Sequence, residues 1–248
     1  WSESEGFYVC YFRTWSGTGN KGYRTVSRIT SPDFIHWSEP VAMTFGDTPP
    51  EQLYTQQTSP SFRAPQIYIA IGGRPMEGRQ VITAEQAKEI EAEPGYFHDV
   101  SDAYFMTTRG GSTYSRMFME SFIRPGTSPS DWVSRTNYPA LNVVPTGPEE
   151  MSVYVNQHYA QPTACLERYT LRLDGFTSVY APYKGGEFLT KPFIFSGKEL
   201  EINYATSAAG EIRIEIQDEK GMPVPGFTMR DQRSLTGNEI SRIVSWNG

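Results

Sequence analysis

The sequence predicts an all-β fold, and three observations carry that prediction. Aromatic residues make up 14% of the chain, with 15 Tyr, 14 Phe and 5 Trp, a composition that favours strands. Short runs rich in aromatic and β-branched residues recur along the chain with turn signals between them. The only long Ala/Glu/Lys-rich stretch is TAEQAKEIEAE. Many short strands of this kind indicate a sandwich, a barrel or a propeller. At 248 residues the chain can form one large all-β domain or a domain and a half.

Taken in order, the strand-like runs are FYVCYF, YRTVSRI, QIYIAIG, AYFMTT, MFMESFI, MSVYVNQHY and RYTLRL. Between them, SPDFIHW reads as a tight turn in which Ser31 and Asp33 satisfy their own backbone while Trp37 anchors the following strand. Asp33 is therefore expected to be structural. TTRGGSTY, with Gly110 and Gly111, forms a similar corner. Thr83 to Glu93 is the one helical signal: Thr83 and Gln86 make a capping box, and Pro94-Gly95 ends the run. Its polarity and few core anchors predict a surface insertion between two strands.

From about Gly186 the texture changes to FLTKPFIF, LEINYAT, EIRIEIQD, the turn KGMPVPGF and EISRIVSW. Ile212, Ile214 and Ile216 alternate with Glu211, Arg213, Glu215 and Gln217, the period-two pattern of a strand with one buried face. This predicts a second all-β module, a sandwich, with DGFTSVYAPYKGGEF as the crossing. The expected domains are 1–182 and 183–248. Cys10 and Cys165 lie in apolar strand-like runs without C-x-x-C or histidine spacing, which predicts burial as small hydrophobes.

Charge and hydropathy exclude two classes of partner. A net charge of -6 with no Lys/Arg run argues against nucleic acid, which needs a concentrated positive surface. No stretch approaches the roughly 20 apolar residues of a membrane-spanning helix, so no membrane partner is expected. The chain starts at Trp1 without a charged leader or apolar signal core, and IVSWNG stops directly after a strand-like run. We expect truncation at both ends of a secreted or periplasmic protein.

No Walker loop, GxGxxG, GxSxG or HExxH is present, which sets phosphate cradling, hydride transfer and zinc hydrolysis aside. His36, His98 and His158 are far apart, so an imidazole-based metal site is not expected. No motif implies a cofactor, although loop carbonyls and carboxylates leave a structural calcium ion open. What remains is carboxylates inside or beside apolar runs: Asp102 in SDAYFM, Glu120 in FMESFIRPG, and Glu149 and Glu150 in GPEEMSVY. A carboxylate there is costly unless paired or used. Glycoside hydrolysis needs two such groups flanking the sugar bond, one protonated and one ionised. The competing role is structural, an ion pair such as Glu120 with Arg124 or a solvated strand end. Arg63, before the strand of SPSFRAPQIYIA, either holds a carboxylate or sugar hydroxyls or is a solvated edge charge. Trp15, Trp132 and Tyr138 either stack on sugar rings or pack in the core.

The strings TSPDFIHWSEP, FRAPQIYIA, SDAYFMTTRGG, FMESFIRPG, TGPEEMSVYV and RYTLRLDGF, followed by GEIRIEIQDEKGMPVPGF, resemble a group of bacterial proteins similar to the five-bladed propeller glycosidases of glycoside hydrolase families 32 and 43. The resemblance to that group covers essentially the whole chain. It implies a five-bladed β-propeller, incomplete at its N-terminus, followed by a β-sandwich incomplete at its C-terminus. FRAP resembles the Arg-Asp-Pro strand of family 32, with Arg63 and Pro65 matching and Ala64 standing where that family has its transition-state-stabilising aspartate. EMSVY is similar to the region of the family's acid/base glutamate, which implies that role for Glu150, with Glu120 as its rival. The strand bearing the family's nucleophilic aspartate has no match.

Two functions follow. In one the protein is a glycoside hydrolase in which Glu150, Glu120 and Asp102 surround a carbohydrate, with Arg63, Arg124 and His158 binding substrate. In the other the fold binds glycans without cleaving them, consistent with Ala64. Catalysis predicts two of the carboxylates facing one pocket at roughly 5 to 10 Å; binding alone predicts an aromatic platform without such a pair.

Overall fold

A computed structural model describes residues 1–247. The protein is all-β: 33% of residues lie in strands against 4% in helices. Its strands form several small antiparallel sheets, and no closed barrel or propeller is found among the described residues. No helix among them is long and apolar enough to cross a membrane. The chain divides into two compact units, one of residues Trp1–Thr146 with Ser152–Thr170, the other of Gly147–Met151 with the described residues from Leu171 onward.

The first unit begins with a meander of β1 (Tyr8–Trp15), β2 (Arg24–Ser31) and β3 (Val41–Ala42). Asp33 shapes the turn after β2. Its Oδ1 accepts from the Ile35 and His36 amides at 2.9 and 2.8 Å, and from Ser31 Oγ at 3.1 Å. The structural role predicted for this aspartate is therefore the one observed. These bonds, the His36 amide first, hold its carboxyl well below the usual carboxylate range.

The second sheet joins β4 (Ser59–Pro60), β5 (Tyr68–Met76) and β6 (Val100–Thr108). β5 and β6 pair without a break from Tyr68↔Thr108 to Met76↔Val100. Between them runs the predicted helix, α1 (Ala84–Glu89), with Thr83 as N-cap and the Gln86 capping box in place. It has more of a core than its polarity implied: Ile82 and Ala87 are buried with Val133, and Ile90, Tyr96, Phe97 and Trp132 pack around them. The main core of this unit gathers Val26, Met43, Leu53, Ala70, Tyr104, Met106 and Tyr114. Residues from both sheets and from the loops after β3 and β6 therefore meet in one cluster.

MFMESFI, expected as a strand, is an excursion beside β6. Its ends are tied by Ser115 N–H to Thr107 O (2.7 Å) and Phe122 N–H to Ala103 O (2.7 Å). In between, guanidiniums take the place of a neighbouring strand: Arg116 donates to the Phe118 carbonyl and Arg74 to that of Met119. The third sheet has β7 (Tyr138–Pro139), β9 (Glu150–Gln157) and β10 (Cys165–Arg172) in the order β10-β9-β7, with β8 (Val144–Pro145) also on β9. Cys10 and Cys165 are exposed free thiols, not buried ones. Cys10 faces outward from β1, and most of β10 is exposed.

In the second unit, β11 (Glu201–Ala205) pairs with β12 (Asn238–Ile243). A small core forms from Tyr204, Leu235 and Val244 with Ile202, Ile212, Ile214 and Trp246. EIRIEIQD keeps its apolar side but is held by isolated bridges. Ile212 exchanges both backbone bonds with Leu235, and then the Gln232 side chain replaces the next carbonyl by accepting from Ile214 N–H (2.9 Å). That substitution breaks the ladder. FLTKPFIF forms no strand either: Phe188, Leu189, Phe193, Ile194 and Phe195 are exposed.

Candidate functional site

A cleft of about 370 Å³ opens in the first unit, lined by Tyr54, Tyr138, Tyr159, Leu166, Arg135, Gln57 and Asn156 among others. Two glycines in the middle of β5 shape one wall. A Cβ on Gly73 would lie 2.4 Å from the Tyr138 ring, and one on Gly72 would lie 2.0 Å from the Thr55 carbonyl oxygen. Only glycine lets both neighbours come so close. The loop before β4 is then stitched to β5: Tyr54 N–H donates to Gly73 O (2.9 Å), Gly73 N–H to Thr55 Oγ1 (2.7 Å), and the Tyr104 hydroxyl to Thr55 O (2.6 Å). The Tyr54 and Tyr138 rings come to 5.4 Å between centroids at a 39° tilt.

Further lining residues come from two strained turns. Arg135 and Asn137 have φ of 64° and 68°, and His158 and Ala160, flanking Tyr159, have 52° and 58°. Such left-handed conformations are costly for residues with a Cβ and persist where the surroundings over-determine them. Here buried hydrogen bonds do so. Asn137 donates through Nδ2 to Ser101 O (3.3 Å) and accepts from Gln157 Nε2 (3.0 Å), and Ser101 Oγ donates to Thr136 O (2.7 Å). His158 Nε2 meets Asp131 Oδ1 at 3.1 Å, and Ala160 O accepts from Glu93 N–H at 3.0 Å.

Cations surround this aromatic surface. The Arg135 guanidinium lies 4.7, 5.3 and 5.8 Å from the ring centroids of Tyr96, Tyr159 and Tyr54. Burial is the largest single influence and works against its charge, but hydrogen bonding to Tyr96 and Tyr159 and the field of the Tyr54 and Tyr96 hydroxyls together outweigh it and raise its pKa. Arg13 and Arg24 lie 4.7 and 5.3 Å from the Tyr54 centroid. The Tyr138 hydroxyl is buried without a hydrogen-bond partner, and burial pushes its pKa up. No carboxylate lines the cleft.

The six residues singled out in the sequence lie elsewhere. Asp102, on β6, is gripped at both oxygens by Arg74, Nε to Oδ1 at 2.8 Å and Nη2 to Oδ2 at 2.7 Å. Arg74 also binds Glu51, whose two oxygens accept from Arg116 Nη2 (3.0 Å) and Nε (2.9 Å). Arg116 is 2% exposed, so this is a buried lattice of two cations and two carboxylates. For Arg74, burial lowers the pKa and the bonds from Asp102 and Glu51 raise it further, with a net increase. Glu120 and Arg124 form a 3.1 Å pair with side chains 71% and 70% exposed. Glu150 opens β9, half-buried, and Arg63 is exposed beside β4. His158 is tied to Asp131 and sits next to Tyr159 without lining the cleft.

Of the aromatics weighed for sugar stacking, Tyr138 lines the cleft, Trp15 lies under Arg24, and Trp132 packs in the helix cluster. Tyr54, Tyr159 and Arg135 were not foreseen. The paired glycines of IGGR, inside a strand run, carried the one local signal of close approach. No group of three or more His, Cys, Asp or Glu among the described residues could hold a metal ion. No known protein family, curated protein or solved structure matches the chain.

Proposed function

We propose that this protein binds glycans without cleaving them, through the Tyr54–Tyr138–Tyr159 cleft. The observation that supports the reading is the make-up of the cleft: three tyrosine rings beside Gln57, Asn156 and Arg135, with no carboxylate in the lining. Sugar rings stack their C–H faces on aromatic rings, and amide and guanidinium groups bond their hydroxyls. Glycoside hydrolysis instead requires two carboxyls flanking one bond. Asp102 is taken up by Arg74 and Glu120 pairs with Arg124 at an exposed site, and neither these nor Glu150 lines the cleft. Ala64 in place of an acid agrees with binding alone.

The finer fold belongs to the same proposal. β1-β2-β3 and β4-β5-β6 are meanders, and β7 and β8 both pair with β9, which is followed by β10, in a third sheet; small sheets of consecutive strands are the form that propeller blades take. We read them as blades of a β-propeller, with β11 and β12 in a β-sandwich.

Affinity electrophoresis against a panel of neutral and acidic polysaccharides, run beside a reducing-end assay, tests the function. The expected result is retardation by at least one polysaccharide, lost in Tyr54→Ala, with no reducing ends released. Release of reducing ends that stops in Glu150→Gln or Glu120→Gln would replace binding with hydrolysis.

A further inference from the structure

We infer that the sugar bound in this cleft carries an anionic substituent, a carboxylate or a sulfate, and that Arg135 is the residue that grips it; the inference rests on the glycan-binding reading. Three guanidiniums, of Arg13, Arg24 and Arg135, lie within 5.8 Å of the one Tyr54 ring. Only Arg24 has an anionic partner, Glu77; among the described residues no carboxylate forms an ion pair with Arg13 or Arg135. In a chain of net charge -6, half-buried Arg135 stands out, with exposed Arg13 adding to the positive field beside Tyr54. Elsewhere the same unit neutralises its buried arginines, Arg28 with Glu5 and Arg74 and Arg116 with Glu51 and Asp102.

Arg135 is also fixed in place. Its backbone is left-handed, its neighbours Thr136 and Asn137 are fully buried, and tyrosine rings pack around the guanidinium. Hydrogen bonding to Tyr96 and Tyr159 takes up part of its N–H set, and the donors that remain can meet a flat or tetrahedral anion. Little ordering remains to be done on binding.

Isothermal titration with oligogalacturonate, its methyl ester and a sulfated galacto-oligosaccharide, at about 50 and about 300 mM salt, tests this. At least one anionic probe should bind roughly tenfold or more tightly than the ester, with the margin shrinking at high salt. Arg135→Gln should erase the margin between acid and ester, and an unchanged urea midpoint shows that the variant is folded. An ester that binds as well as the acids, or a margin that survives in Arg135→Gln, would overturn the anion. Binding only to neutral polysaccharides would overturn the anion and leave glycan binding standing. Binding to none of the panel would remove both.

Discussion

Two arginine-rich regions of the first unit use the same side chain in opposite ways. In the lattice of Glu51, Arg74, Asp102 and Arg116, each guanidinium meets carboxylates and carbonyls, so its charge is consumed in holding the loop of residues 116–122 against β6. At the cleft, Arg135 in its lining and Arg13 beside Tyr54 lie on tyrosine rings, and among the described residues neither forms an ion pair with a carboxylate. A buried ion lattice is a fastener, whereas a stacked cation without a counter-ion is free to meet a ligand, as proposed above. Of the carboxylates that the sequence offers for catalysis, Asp102 belongs to the first region, Glu120 to the surface and half-buried Glu150 to the start of β9, and on that difference rests the proposal of binding over cleavage.

The comparison breaks first at Arg116. Removing one member of a buried, paired set strands the others, so Arg116→Ala should cost about 3–5 kcal/mol in urea unfolding; a loss below 1 kcal/mol would mean that the lattice is not what fastens this region. Gly73→Ala comes next. Its Cβ would meet the Tyr138 ring at 2.4 Å, so the variant should lose about 1–3 kcal/mol and should weaken glycan binding with it. Tyr54→Ala sharpens the contrast, because it should weaken glycan binding roughly tenfold while shifting stability far less than Arg116→Ala. Calorimetry and urea melts on the same samples check both halves.

The smaller effects concern the exposed groups. The depressed pKa of Asp33 means that its contribution is fully present above the ordinary carboxylate range and is lost only as pH falls through the lower folded value. The side-chain carboxyl carbon shift of Asp33 should therefore show no titration step near about pH 4 and should move only in stronger acid. Glu120→Gln should change neither stability nor binding measurably, since its partner is as exposed as it is.

What was legible in the sequence was local. The capping box at Thr83, the Asp33 turn and the strands β1, β2, β5, β6 and β9 all follow from contacts a few residues apart or from a clean apolar run. MFMESFI failed because its carbonyls are answered by arginines from Arg74 and Arg116, and EIRIEIQD failed because the Gln232 side chain interrupts its ladder. Neither substitution leaves a trace in the pattern of the run itself. The cleft was hidden for a related reason: Tyr54, Arg135 and Tyr159 are far apart in the chain and come together only through Gly72, Gly73 and the strained turns at Arg135 and His158. Tyr138 could be marked as an aromatic for sugar stacking, but nothing local distinguished it from Trp15 or Trp132.

The most direct test of the central claim is an amide and side-chain chemical-shift map of the protein titrated with the tightest-binding oligosaccharide of the panel. Binding through the cleft predicts shifts at Tyr54, Arg135, Tyr138, Asn156 and Tyr159, with Asp102, Glu120 and Glu150 unmoved and the oligosaccharide intact. Shifts centred on Asp102, Glu120 and Glu150, accompanied by cleavage of the sugar, would contradict it.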